Sequence, residues 1–230
     1  MKRFWKDVAV VPEGAGFGVT LDQRPLRTPA RQPLVVPTEA LAAAIAAEWL
    51  DSPEEVDPRS MPLTGLANAA LDRVAPDPET FATNLARYGE SDLLAYRAEG
   101  PLALAERQAD AWDPLLQWAR RRFDVDFATT AGVSFVAQPA DTVRRLAHAV
   151  ASHSPFQLAA LSPLVTISGS LVIALAVIEG EVTAEQAWAA AAVDDAWQLE
   201  KWGEDAEAMI ALGNRRRDFL SAARFLSLLD

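Results

Sequence analysis

Apolar and small or polar residues alternate over the first part of the chain. Phe17, Val19 and Leu21 alternate with Gly18 and Thr20, the period of two expected of a half-buried strand. An apolar run over residues 8–11 precedes them, and Pro12-Glu13-Gly14-Ala15-Gly16 separates the two. This spacing predicts a β-hairpin. Asp22-Gln23-Arg24-Pro25 predicts a second turn, and Leu34, Val35 and Val36 a further short strand. Prolines at 25, 29, 33 and 37 exclude a long central strand here. The period then changes. Leu41, Ile45 and Trp49 recur every four residues, one face of a helix that Thr38 is placed to cap and that should cover one side of the sheet. A connector rich in proline and acid runs to Pro62. A second helical stretch follows, with Leu63, Leu66, Ala70 and Val74 facing one way. Ala75-Pro76-Asp77-Pro78 is the clearest linker, so the expected division is a domain over 1–78 and a second over 79–230.

The second part reads as helix throughout. Segments are expected over 81–88, 102–123, 141–152, 156–162 and 166–179. Pro114 either kinks the second of these or starts a new helix behind Asp113. Thr183-Ala184-Glu185-Gln186 has the form of a capping box, opening a helix that runs to Trp202, with Gly203 as its stop. A last helix is expected over 204–229. The fold class is therefore α+β: a small N-terminal sheet domain with covering helices, then an all-α helical bundle.

Two positions break the apolar pattern of the final helices. At 100° per residue, Trp188, Ala192, Leu199 and Trp202 fall within about 40° of one line, and Asp195 lies among them. Val193 and Trp197 lie opposite, which marks the helix as apolar on two faces and central to the bundle. A carboxylate there costs free energy unless paired. In the last helix Met209, Leu212, Phe219, Ala223 and Leu226 form a stripe, and Arg216 falls inside it. One reading pairs Asp195 with Arg216. The other has Asp195, with Asp194, Glu200, Glu204, Asp205 and Glu207, face a cleft for a partner. Those six acids stand against one lysine, Lys201, over residues 194–207. Trp197 and Trp202 are interleaved with them, and tryptophan is enriched at interaction hot spots.

Composition narrows the function. The 230 residues carry a net charge of −11, which argues against a nucleic-acid binder. No cysteine is present, so thiolate metal sites, disulfides and a cysteine nucleophile are excluded. His148 and His153, the two histidines, are spaced for different helix faces and make poor joint metal ligands. Gly14-Ala15-Gly16-Phe17-Gly18 lies in a hairpin turn, not between a strand and a helix, so it is not a dinucleotide loop. Ser168-Gly169-Ser170 lacks the flanking glycines of a nucleophile elbow. No catalytic residue, metal ligand or cofactor is assigned. The uncharged apolar run over 164–178 is shorter than the roughly 20 residues of a membrane span. With no secretory signal or transit peptide evident, the expectation is a cytoplasmic monomer without membrane insertion.

A series of segments in order along the chain carries a resemblance. It includes Arg3-Phe4-Trp5-Lys6, the stretch over 16–29 with Arg24 and Pro25, Glu48-Trp49, Met61-Pro62-Leu63-Thr64, Asn68 and Asp72-Arg73. It continues through Asp92-Leu93-Leu94-Ala95-Tyr96-Arg97, Trp112-Asp113-Pro114-Leu115-Leu116 and the stretch over 194–205. Together they resemble the assembly chaperones for the catalytic head of F-type ATP synthase that act on the alpha subunit, in a bacterial version. The resemblance implies a small α+β domain followed by a helical domain, and no enzymatic activity. It implies binding of the unassembled alpha subunit and shielding of the surface that later meets the beta subunit. The acidic position at Asp195, often glutamate in that family, is the one it marks as functionally sensitive. Asp194, Asp195, Trp197, Glu200, Trp202, Glu204 and Asp205 are thus the candidate partner-binding residues. Trp49, Arg24, Pro25, Asp92, Trp112 and Arg216 are structural or motif positions. The alternative is a small-molecule-binding protein or hydrolase with a carboxylate-lined pocket near Asp195.

Overall fold

A computed structural model describes residues 2–203 and 205–230. Contacts divide the chain into two compact units: Met1–Pro78 with Ser154–Ala160 and Ser221–Asp230, and Glu79–His153 with Leu161–Leu220. The first unit contains the strands β1 (Val8–Glu13), β2 (Gly16–Leu21), β3 (Arg24–Pro25) and β4 (Val35–Val36), then the helices α1 (Glu39–Leu50) and α2 (Pro62–Ala69). Along the rest of the chain lie α3 (Pro78–Ala86), β5 (Tyr96–Arg97), α4 (Leu102–Phe123), β6 (Thr130–Ala131), α5 (Ala140–Ala151), α6 (Pro155–Ser168), α7 (Leu171–Ile178), α8 (Ala184–Ala191), α9 (Val193–Trp202) and α10 (Ala206–Ser227).

In the first unit, β1 and β2 form the predicted antiparallel hairpin, in register from Val8 opposite Leu21 to Glu13 opposite Gly16. β2 is central, because β3 and β4 both pair with its other edge. Asp22 and Gln23 turn the chain from β2 into β3 with φ of 47° and 68°, the two positive angles of a hairpin turn whose twist matches its strands. The Asp22 carboxylate accepts the amides of Lys6 and Asp7, both at 2.9 Å, and these bonds lower its pKa. β4 runs so close to β2 that a Cβ on Gly16 would lie 2.4 Å from the Val36 carbonyl oxygen, so glycine is required there.

Thr38 caps α1 through the Leu41 amide, as its sequence position predicts. Leu41, Ile45 and Trp49 are buried, together with Trp5, Val19, Leu21, Leu34 and Val36. Each such side chain contributes about 1.5–3 kcal/mol by leaving water. α2 begins at Pro62 without a side-chain cap of its own. Glu48 of α1 supplies one: its carboxylate accepts the Leu63 and Thr64 amides at 2.8 Å and the Thr64 hydroxyl at 2.7 Å.

The second unit is helical apart from a two-residue parallel pairing of β5 with β6. Its most buried element is α7, where residues 171–176 are all fully enclosed. α4 passes through Pro114 without ending. Pro114 and Asp110, whose carbonyl loses its bond, are both exposed, so the carbonyl is left facing solvent rather than buried. The helix expected over 183–202 is instead two. The capping box at Thr183 and Gln186 forms, but Ala192, at φ −101° and ψ 16°, ends α8 and begins α9. α9 is not apolar on two buried faces and is not the central helix: Val193 and Trp197 are buried, whereas Gln198, Glu200, Lys201 and Trp202 are exposed. Gly203, at φ 84°, stops α9 as predicted. α10 departs from its expected stripe. Phe219, Ala223 and Leu226 are buried, whereas Met209 is exposed and Leu212 half-buried.

Candidate functional site

The second unit carries a groove of about 860 Å³. One wall comes from α9, through Asp194, Trp197, Lys201 and Trp202. The opposite wall is the segment from Leu93 to Pro101, with Gly132 and Val133 beside it. Asp92 sets that wall. It is fully buried and caps the turn that follows, accepting the Leu94 amide at 3.0 Å. Its other oxygen accepts the Val172 amide at 3.0 Å, at the start of α7. The Ser170 hydroxyl and the Leu171 amide also bear on it. Burial raises the Asp92 pKa, and these hydrogen bonds oppose the rise.

Gln108 of α4 joins the two walls. It is 3% exposed; its Oε1 accepts the Ala98 amide at 2.7 Å, and its Nε2 donates to Asp194 Oδ1 at 2.7 Å. Trp112, one helical turn on, donates its indole N–H to the Ala190 carbonyl at 2.8 Å and lies under the Arg97 guanidinium. Trp197 is buried between two cations: Arg107 lies 5.1 Å and Lys201 4.6 Å from its ring centre. Arg107 grips Glu200 with both nitrogens, at 2.7 and 2.9 Å. That grip lowers the Glu200 pKa and raises that of Arg107. Asp194 and Trp197 are thus tied into the groove wall, with Glu200 held by Arg107 outside its lining, and the indole of Trp202 stands out from it, 78% exposed. Val133, fully exposed, and Leu102 and Phe135, both mostly exposed, add apolar surface in the same unit.

The expected pairing of Asp195 with Arg216 does not form. Arg216 bonds Glu185 at 2.8 Å, and Arg215 takes Asp195 at 3.3 Å while also donating to the Ile167 carbonyl. Arg216 is taken up by Glu185 of α8, which leaves Arg215, one residue earlier on α10, to reach Asp195. Asp195 is half-exposed and borders a recess of about 190 Å³ between α9 and α10, to which Asp205 also contributes. Glu204 lies outside the described residues. Trp49 is buried on α1, and Arg24 and Pro25 form the exposed β3. Sequence reasoning missed Arg107, Gln108, Val133 and Phe135. Val133 and Phe135 carried a signal, as bulky apolar residues in a stretch without helical period. Gln108 carried none, since a glutamine on an amphipathic helix looks like surface.

Apolar surface with a protruding tryptophan, fixed by a satisfied polar network, defines a protein that holds another macromolecule. A model of the ATP12 chaperone protein family matches residues 2–120, over half of the chain. The chain belongs to this family; it is a chaperone and not an enzyme, and the hydrolase alternative falls. Atp12 from Paracoccus denitrificans is 45% identical and superposes with a TM-score of 0.94 over 100% of this chain and 98% of that one. The Atu1473 protein from Agrobacterium tumefaciens is 42% identical, with a TM-score of 0.94 over 100% of this chain and 86% of that one. Protein atp12, mitochondrial, from Schizosaccharomyces pombe is 29% identical over 219 residues, 89% of this chain and 75% of that protein. These likenesses confirm the α+β class. Among the described residues no helix is long and apolar enough to cross a membrane.

Proposed function

We propose that this chaperone holds the unassembled alpha subunit of F-type ATP synthase, in the bacterial cytoplasm, until the beta subunit replaces it. The observation that carries the reading is the groove walled by α9, with Trp202 protruding beside it. An unassembled subunit exposes apolar interface that aggregates. A holder for it needs apolar area at low entropy cost, which a tryptophan supplies, and fixed polar groups for specificity, which Asp194, Glu200 and Lys201 supply around it. Client binding through the candidate residues Asp194, Asp195, Trp197, Glu200, Trp202 and Asp205 is part of the same proposal.

The test is light scattering of purified alpha subunit diluted from denaturant, with and without an equimolar amount of this protein. Scattering should fall at near-stoichiometric ratio and stay low when folded beta subunit is added, as alpha passes into a complex with it. Unchanged scattering of alpha, or equal suppression for beta, overturns the assignment.

A further inference from the structure

The recess between α9 and α10 is too small for a drug-sized ligand, for which pockets run to roughly 300–1,000 Å³. Its volume of about 190 Å³ suits one long side chain. Its apolar part is built from Leu199, Ala208, Leu212 and the exposed indole of Trp202; Asp195, Asp205 and Gln198 supply its polar groups, and Gly203 fills the remaining edge. We propose that this recess receives a single arginine or lysine side chain of the bound partner. The proposal deepens the chaperone reading above and rests on it.

Long cationic side chains lay their methylenes on apolar surface and keep the charged head among polar groups. A recess with an apolar lining and two carboxylates fits that division. A guanidinium or ammonium over the Trp202 ring adds cation–π attraction. An apolar or anionic occupant would instead strip water from two carboxylates, with only the long Arg215 contact to Asp195 as counter-charge. Both carboxylates have capacity to spare. Asp195 uses Oδ2 for Arg215 at 3.3 Å, a long contact between half-exposed groups. Asp205 uses Oδ1 for the Glu207 amide, also at 3.3 Å. Arg215 shows that Asp195 accepts a guanidinium from the α10 side; the partner's cation would add a second donor from the recess.

The test uses the full chain and N-acetyl-arginine amide as probe, followed by NMR at the Trp202 indole, assigned with Trp202→Phe. N-acetyl-citrulline amide, uncharged and nearly isosteric, is the comparison. The arginine probe should shift the Trp202 resonance saturably and bind at least about fivefold more tightly than citrulline. Asp195→Asn with Asp205→Asn should abolish that preference. Asparagine caps helices as well as aspartate does, so α10 keeps its start. Equal binding of citrulline, survival of the preference in the double variant, or a silent Trp202 each overturns the proposal. In a second arm, the double variant should weaken binding of alpha subunit about tenfold. Failure of the unsubstituted protein to hold alpha subunit would sink the client assignment and leave the arginine result standing by itself.

Discussion

Replacing Asp92 by alanine should destabilise the second unit more than any change to a single exposed acid. Asp92 has no solvent exposure, and its two oxygens accept the Leu94 and Val172 amides at 3.0 Å. Alanine leaves both amides buried and unmet, each at a cost of about 1–3 kcal/mol. The void adds to this, so a loss of about 3–5 kcal/mol is expected. Asparagine keeps one acceptor and sets its NH₂ against the other amide, for a loss of about 1–3 kcal/mol. Burial raises the native pKa above the usual 3.8. Between the unfolded and native values the native state binds more protons, so stability from this group falls as pH rises through that window and is level above it. The asparagine variant lacks that slope, and wild type should gain on it as pH falls. Urea denaturation by far-UV circular dichroism gives the loss, and hydrogen exchange at Leu94 and Val172 localises it. Each 1.4 kcal/mol should speed exchange by about tenfold. An alanine variant within about 1 kcal/mol of wild type would refute the reasoning. So would wild type losing ground to asparagine on acidification, since the hydrogen bonds would then outweigh burial.

Other predictions concern the site and the first unit. Trp202→Ala should leave thermal stability within about 0.5 kcal/mol, because the indole is exposed, yet weaken client binding by about 2 kcal/mol or more, measured by titration calorimetry. Gln108→Leu unlinks Ala98 from Asp194 and should lower stability by about 1–3 kcal/mol in a thermal melt, with client affinity falling as the groove walls separate. Glu48→Gln removes part of the cap on α2 and should cost about 1–2 kcal/mol in the same assay. Burial raises the Glu48 pKa, so its contribution also declines as pH rises above the ordinary carboxylate range, and the glutamine variant should lack that decline.

Short-range chemistry is legible in the chain itself. The hairpin needs only alternation and a turn, α1 needs Thr38 and a repeat of four, and α8 needs Thr183 and Gln186. Gly203 ends α9 because a positive φ is cheap only for glycine. These signals act within a few residues, so they survive without knowledge of the rest. The resemblance added the partner, because a series of spaced segments is a pattern that no single segment holds.

The candidate site was legible in its residues but not in its geometry. Asp195 stood out because a carboxylate fell on an apolar stripe, and Trp197 and Trp202 because they interleave with a cluster of acids. The partners came from elsewhere: Asp195 took Arg215 rather than Arg216, and Asp194 and Trp197 took Gln108 and Arg107 from α4. One alanine, Ala192, divides α8 from α9, and nothing local announces that division. Whether Met209 is buried like Phe219 depends on which neighbours pack along α10, and periodicity alone assigns them one stripe. By itself the sequence determined most of the elements, the class and the family, since local propensity and ordered motifs are properties of the chain. Only the tertiary structure decided which charges meet and which tryptophan stays in water, because those outcomes depend on contacts between residues far apart in sequence.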